Sequence, residues 1–252
     1  MAAAMVLASS VATHAEPPTG SLELNGLHYQ LSDGFAPTSG VNVRGRLGPI
    51  GNDEWLAEVA WLDRFDDNGT YGQVGNIHQF GERWFTQLYL GGSSGGFFWP
   101  ELRVDASVSH RLLAQRNLVV TAGVAHFDAK DIHSDTGYRL EASYYTPSPW
   151  VLQGGVTYNI SEPGGVGSTS GYGALSHVRG GSHIVTLRVG AGHQAYQPLR
   201  ADSFQVDIPF TSVRVTWKQW VGTHWGVQLA ADSYLSDVYD QHGVEFGLFQ
   251  EF

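Results

Sequence analysis

The chain contains no cysteine among its 252 residues, which excludes structural disulfides and thiolate zinc sites. No window holds about 18 consecutive apolar residues, so the sequence predicts no transmembrane helix. Charged residues are scarce, at 15%. The net charge of −10 argues against a nucleic acid partner, because binding to phosphates needs a basic surface.

The last segment of the chain alternates with a period of two. Val244, Phe246, Leu248 and Phe252 fall on one face of a strand, whereas glycine and glutamate dominate the other face. A strand with lipid on one side and a watery lumen on the other requires this pattern. The aromatic carboxy-terminus is typical of bacterial outer-membrane barrels. Phe252 is therefore the candidate signal for the barrel assembly machinery.

Similar alternating runs recur at nearly even spacing along the chain. They predict an all-β fold, a single antiparallel transmembrane β-barrel of about 14 strands in the bacterial outer membrane, with counts of about 12 to 16 left open. The runs are 21–32, 39–48, 54–65, 70–80, 83–92, 100–112, 117–128, 136–147, 149–160, 168–179, 182–193, 206–219, 223–235 and 239–252.

The first 15 residues are apolar and end in small residues, with Ala15 just before the predicted cleavage point. This pattern predicts a secretory signal peptide over 1–15, although no basic residue precedes the apolar run. A short buried helix is the alternative. No Pro-rich or charge-rich linker follows, so residues 16–252 are predicted to form one barrel domain.

The connections between the runs provide a second indication. Every second one is short, as at 80–83, 147–149, 180–181 and 221–224, whereas the interleaved ones are longer and rich in glycine. Outer-membrane barrels have short periplasmic turns and longer outer loops. The sequence therefore predicts that both termini are periplasmic and that the longer loops lie outside the cell.

Charged residues fall on the face opposite the apolar residues in most runs. A charge on the lipid face costs about 2–4 kcal/mol near the midplane, so the charged face must line the lumen. Trp55, Trp61, Trp150, Trp220 and Trp225 lie near strand ends and are predicted to form the interfacial aromatic girdles. The predicted lumen residues are Arg44, Arg46, Glu58, Glu101, Arg103, Asp105, Arg139, Glu141, Arg188, Arg214, Lys218 and Glu245.

Three segments carry a resemblance to a known family. They are LELNGLHYQLSDG near the start, PELRVDASVSHRLLAQRNLVVTAGVAHFDAKD in the centre, and WKQWVGTHWGVQLAADSYLSDVYDQHGVEFGLFQEF at the end. The chain resembles the YaiO-type outer-membrane barrels, which are similar to the barrels of exopolysaccharide secretion porins. Many relatives carry periplasmic helical repeats, and this chain has no repeat of about 34 residues.

The resemblance implies a pore or accessory barrel for exopolysaccharide export, in contact with outer-membrane lipid and lipopolysaccharide and with periplasmic export proteins. The predicted lumen charges then form a polar path for a hydrated chain. An alternative is that they pair across strands and plug the lumen, leaving a closed structural barrel whose surface loops act as binding sites. No nucleotide or cofactor motif is present.

The segment GGSSGGFFWP at 91–100 is the strongest loop feature. Phe97, Phe98 and Trp99 could fold inward as a gate or stack on a sugar. Alternatively, they are girdle residues that open the next strand, with Pro100 at the strand start.

A lipid-modifying enzyme is the third hypothesis. Nucleophilic catalysis needs serine and histidine on one face within hydrogen-bonding reach. Adjacent strand residues diverge, so Ser109–His110 and Ser176–His177 do not qualify, whereas His133 and Ser134 lie in a predicted loop. Glu141 is the acid considered with them.

The sequence Asp66-Asp67-Asn68-Gly69 could suggest a calcium loop, but the other ligands of an EF-hand are missing, and it is also an ordinary turn sequence. No histidine spacing predicts a metal site.

Overall fold

A computed structural model describes residues 20–200 and 203–252. The predicted signal peptide, residues 1–15, lies outside the described residues. No membrane-spanning helix is found in the described part of the chain.

The described residues form fourteen strands, one for each run predicted from the sequence. Alternating apolar and polar residues, with many β-branched and aromatic side chains, favour this conformation throughout. The strands are β1 Gly20–Leu31, β2 Thr38–Ile50, β3 Asp53–Arg64, β4 Asp67–Phe80, β5 Trp84–Gly95, β6 Leu102–Leu112, β7 Leu118–Asp128, β8 Ser134–Tyr145, β9 Trp150–Glu162, β10 Val166–Arg179, β11 His183–Arg200, β12 Ser203–Trp220, β13 Trp225–Ser236 and β14 Gln241–Glu251.

Each strand pairs antiparallel with its sequence neighbours, and β1 pairs with β14 to close the barrel. The seam has an uninterrupted register from Ser21 opposite Glu251 to Leu31 opposite Gln241. At its end, the amide of Gly20 donates to the carbonyl of Phe252 at 2.8 Å. Closure removes every sheet edge, as a bilayer requires. The predicted single antiparallel β-barrel of 14 strands is therefore confirmed.

The predicted difference between short and long connections is wrong. At the end that carries the termini, the connections have two to five residues, and at the opposite end the described ones have two to six. The strands extend into the predicted loops: β5 continues to Gly95, and β11 and β12 each reach 18 residues. Backbone pairing thus continues beyond the length that the bilayer needs. We refer to the end that carries the termini as the inner end.

The wall has two faces of opposite character. Leu24, Val59, Leu88 and Leu140 point outward and are 51–55% exposed, which is the apolar face that lipid covers. Four of the five predicted girdle residues also point outward and are 40–50% exposed: Trp55, Trp61, Trp150 and Trp225. The fifth assignment is wrong. Trp220 faces the lumen, where its indole nitrogen donates to Glu251 at 3.0 Å.

A charge placed on the outer face provides a test of this arrangement. Leu24→Arg, halfway along β1, is expected to cost about 2–4 kcal/mol of unfolding free energy, because the guanidinium would sit in hydrocarbon. Ile50→Arg, at the inner end of β2, is expected to cost about 0–1 kcal/mol. Urea unfolding in lipid vesicles measures both, and equal losses would contradict the assignment of depth.

Candidate functional site: the lumen and its two mouths

Eleven of the twelve predicted lumen residues lie on strands with the phase that faces inward. The registers place Glu23, Arg44 and Glu58 side by side on one face, and Asp105, Arg139 and Glu141 on the same face further round the wall. Glu101 is the exception. It lies in the turn before β6 with an exposed side chain, because β6 begins only at Leu102.

The wall from β6 to β8 carries a chain of ion pairs. Arg139 donates two hydrogen bonds to the carboxylate of Asp105, at 2.6 and 2.8 Å. Arg103 approaches the same carboxylate at 3.6 Å, and Arg139 lies 3.7 Å from Glu141. A bidentate pair with further partners holds its side chains in fixed orientations.

A second group lies on β2 to β4. Arg44 pairs with Glu58 at 3.0 Å, and Gln73 donates to the other oxygen of Glu58 at 2.8 Å. Arg46 pairs with Glu54 at 2.6 Å nearer the inner end. The cross-strand pairing that the sequence left open as an alternative therefore accounts for much of the lumen charge.

Arg188 differs from the other lumen cations. It lies directly opposite Arg214 on the neighbouring strand, and the described residues place no carboxylate within 4.0 Å of it. Its guanidinium instead stacks 3.4 Å from the ring centre of Tyr172, whose hydroxyl donates to Glu141 at 3.0 Å. Arg188 therefore contributes a positive charge that an ion pair does not cancel.

The inner mouth contains a cluster of aromatic and charged side chains, of which only Lys218 was predicted from the sequence to face the lumen. Lys218 pairs with Glu23 at 2.9 Å and lies 4.0 Å from the ring centre of Phe249. Trp220 packs edge-on against Phe249, with ring centres 5.1 Å apart. The strict alternation along β12 and β14 would have placed Trp220 and Phe249 inward.

The outer mouth is narrowed by an aromatic cluster. Phe65, Phe210, Tyr234 and Tyr239 are each less than 10% exposed and pack together. They come from two strands and two connections that are far apart in the sequence. Residues at the edge of this cluster are Leu31, Phe35, Phe97, Phe98 and Val238. We call these nine residues the aromatic cap.

Phe65 enters the cap from an unusual backbone conformation. It and Asp66 form the two-residue turn between β3 and β4, with φ of 56° and 59°. Such hairpin turns favour asparagine and glycine, and a bulky residue there costs about 1–3 kcal/mol. Arg64 offsets part of this cost, because it stacks 4.5 Å from the ring centre of Phe65 and donates to the hydroxyl of Tyr239 at 2.7 Å.

The loop at 91–100 folds inward, as one of its two predicted interpretations requires. The ring of Phe97 stacks on Phe65 at 6.4 Å, and the amide of Phe97 donates to Asp67 at 2.9 Å. Trp99 stacks on the inward-facing Tyr71 at 5.0 Å. Asp67, considered above for calcium, thus anchors this loop to the cap.

Solvent still reaches the inner wall. The side chain of Arg44 is 42% exposed, and those of Arg46 and Arg214 are 28% exposed, although all three lie inside a closed barrel. A lumen packed like a protein core would leave no such exposure. The arrangement therefore combines a hydrated charged wall with a narrowed outer mouth.

The geometry does not assemble a catalytic triad from the residues considered above. Ser109 faces the lumen, whereas His110 stacks on Trp84 on the outside, with ring centres 4.0 Å apart. Ser134 and Glu141 lie on one strand about 23 Å apart.

His133 bonds Asp131 at 2.8 Å in the loop outside the membrane. Partial burial raises the pKa of Asp131, but the hydrogen bonds from His133 outweigh it and hold this pKa below its usual value.

Solved structures with the same architecture are outer-membrane proteins. A bacterial polysaccharide outer membrane secretin aligns with a TM-score of 0.61 at 11% identity, covering 94% of this chain and 100% of that one. An outer membrane channel from Pseudomonas putida F1 gives 0.60 at 9% identity, covering 94% and 97%. An anion-selective porin from Comamonas acidovorans gives 0.52 at 11% identity, covering 92% and 98%. The fold is that of a bacterial outer-membrane β-barrel.

The family described as YaiO membrane beta barrel domain matches residues 19–197. The chain therefore belongs to the YaiO family and is located in the bacterial outer membrane. The closing segment that contributed to the resemblance, from Trp217 onward, lies beyond the matched residues. None of the curated proteins compared with the chain matches it.

Proposed function

We propose that this barrel is a passive outer-membrane conduit for a hydrated polysaccharide. The observation that carries the proposal is the charged inner wall, which remains accessible to water inside a closed barrel. Paired arginines and carboxylates provide hydrogen-bonding groups without a large net field, which suits a neutral or weakly charged sugar chain. The protein performs no covalent chemistry, and the energy for export comes from synthesis at the inner membrane.

Two further observations support a sugar as the solute. The inner mouth presents the half-buried Trp220 beside Lys218, and a flat aromatic face next to a polar group suits a sugar ring. The structural neighbour named as a polysaccharide secretin has the same architecture over almost the whole chain. The other neighbours named as channels or porins agree with conduction in general.

The second candidate is a barrel whose lumen is plugged and whose role is binding. The aromatic cap favours it, because the cap narrows the mouth on the side of the outer loops. The two functions predict different behaviour towards small solutes, since a barrel with a plugged lumen conducts neither ions nor sugars.

Liposome swelling tests the proposal. Vesicles that contain the barrel are expected to take up short neutral oligosaccharides faster than vesicles without protein. Thr216→Trp, which places bulk in the lumen, should slow this uptake, whereas Val215→Trp adds the same bulk on the lipid side and should not. Uptake that is no faster than in empty vesicles would favour the barrel with a plugged lumen.

A further inference from the structure

The outer surface of the barrel carries a cluster of one tryptophan, two histidines and one arginine at the inner end of β9 to β11. Trp150 packs edge-on against His177, with ring centres 4.9 Å apart. His177 stacks on His183 at 5.1 Å, and their ring nitrogens share a hydrogen bond of 3.1 Å. Arg179 is paired in register with His183 and is exposed. All four side chains point outward, at the level where a membrane interface begins.

This cluster lies in a region without opposing charge. The described residues place no carboxylate within 4.0 Å of Arg179. On the outward face of β8 to β12, and in the turns that join these strands at the inner end, no aspartate or glutamate occurs near this end. In a chain of net charge −10 this is a distinct feature. A guanidinium and imidazole N–H groups are suitable ligands for a phosphate.

An apolar depression begins above the cluster on the same face. Ala142, Gly154 and Gly173 are directly paired neighbours on three adjacent strands, so the wall there has almost no side chains. A cavity of about 450 Å³ adjoins Ala142 and Gly154 on the side of β7 and β8. It is lined by the outward residues Val120, Leu140, Ala142, Gly154 and Val156 and by Glu141, Gly155 and Tyr172, which have the inward phase.

The spacing between the two features matches a lipid. Gly173 lies six residues from Arg179 along β10, and His183 is level with Arg179, so the spacing is about 20 Å at strand rise and about 15 Å in depth once strand tilt is included. The hydrocarbon of one leaflet is about 15 Å thick. A phosphate on the cluster would therefore place its acyl chain across the depression.

We propose that this surface is a binding site for an anionic phospholipid of the inner leaflet, with the phosphate on Arg179 and His183 and one acyl chain in the depression over Gly154 and Gly173. The position and charge of the cluster carry the choice of a lipid, because a bilayer surrounds this face. The site does not depend on conduction through the lumen.

Native mass spectrometry of the purified barrel with phosphatidylglycerol tests the proposal. The wild type is expected to retain this lipid in preference to phosphatidylcholine. The double variant R179Q/H183Q should bind it about tenfold more weakly, the loss expected for one charge-assisted hydrogen bond. The matched control R116Q/H110Q makes the same charge change at another part of the inner end and should bind as the wild type does.

The acyl groove has its own matched pair. A Cβ atom added at either Gly173 or Gly26 meets no atom within 4 Å, so neither outward position obstructs the start of a leucine side chain. Gly173→Leu should weaken retention of the lipid, whereas Gly26→Leu should not. The proposal would be overturned if all variants retained phosphatidylglycerol equally, or if the wild type retained phosphatidylglycerol and phosphatidylcholine equally. It would also be overturned if glycerol phosphate, which has no acyl chains, displaced the bound lipid as well as free phosphatidylglycerol does.

Discussion

Opening the aromatic cap is expected to raise the conductance of the barrel severalfold. The variant F65G/Y239A removes the ring that links the loop at 91–100 to the rest of the cap, and also the hydroxyl that Arg64 bonds. Glycine at 65 accepts the φ of 56° without strain, so the hairpin between β3 and β4 remains favourable. Single-channel recording in planar bilayers measures the effect.

Two controls separate opening from general loosening. Tyr239→Phe keeps the ring and loses only the hydrogen bond from Arg64, so its conductance should stay close to that of the wild type. Phe80→Ala removes a ring that is 57% exposed at the inner end and should change nothing. If F65G/Y239A conducts no better than these controls, the cap does not limit passage.

The phase of the strands could be predicted because it follows from solvent chemistry. A slip of one residue would move every charge of a strand into lipid, so the alternation fixes the register of each face. Arg44, Asp105 and Arg214 were therefore predicted on the correct side. Trp220 was placed wrongly because tryptophan near a strand end suggests a girdle. It lies three residues after the outward-facing Trp217, and an odd separation along a strand places it on the opposite face, towards the lumen.

The lengths of the connections could not be predicted in the same way. Outside the bilayer, a glycine-rich segment can either continue as a paired strand or form an unpaired loop. Hydrophobic alternation no longer distinguishes these two conformations there. The segment 91–95 joined β5, and 194–200 joined β11. Nearby Glu101 was consequently assigned to a strand that begins one residue later.

The aromatic cap could not be predicted from spacing, because it depends on closure of the barrel. Phe35, Phe65, Phe97, Phe210 and Tyr239 come from distant segments that meet only when β1 pairs with β14. The sequence did indicate that Phe97 and Phe98 are special. It could not distinguish a girdle from a gate, since the difference depends on which way the loop folds.

A second large effect, on the free energy of unfolding, is expected at Glu245 beside the barrel seam. Glu245 on β14 accepts hydrogen bonds from Tyr29 on β1 and from Arg214 on β12. Tyr29 reaches it across Gly243, where any side chain would collide with the tyrosine ring. Asp232 lies 3.4 Å from Arg214 and is the only other carboxylate that the described residues place within 4.0 Å. One carboxylate thus links the first strand to the third from last.

Glu245→Gln is expected to lower the unfolding free energy by about 2 kcal/mol, because Arg214 keeps its charge and loses its main partner. The Arg214 side chain is 28% exposed and keeps Asp232 at 3.4 Å, so solvent and this second carboxylate compensate only in part. Glu82→Gln makes the same chemical change in a side chain that is 80% exposed and pairs with Arg116, and it should cost less than about 1 kcal/mol.

Urea unfolding in vesicles, followed by tryptophan fluorescence, measures both variants. The double variant R214Q/E245Q completes the cycle. Because it removes both charges, it should be more stable than the sum of its single variants predicts. Additive losses would show that the two side chains are energetically independent. In that case the contribution of Glu245 to stability would come from its hydrogen bond with Tyr29 across the seam and not from its pair with Arg214.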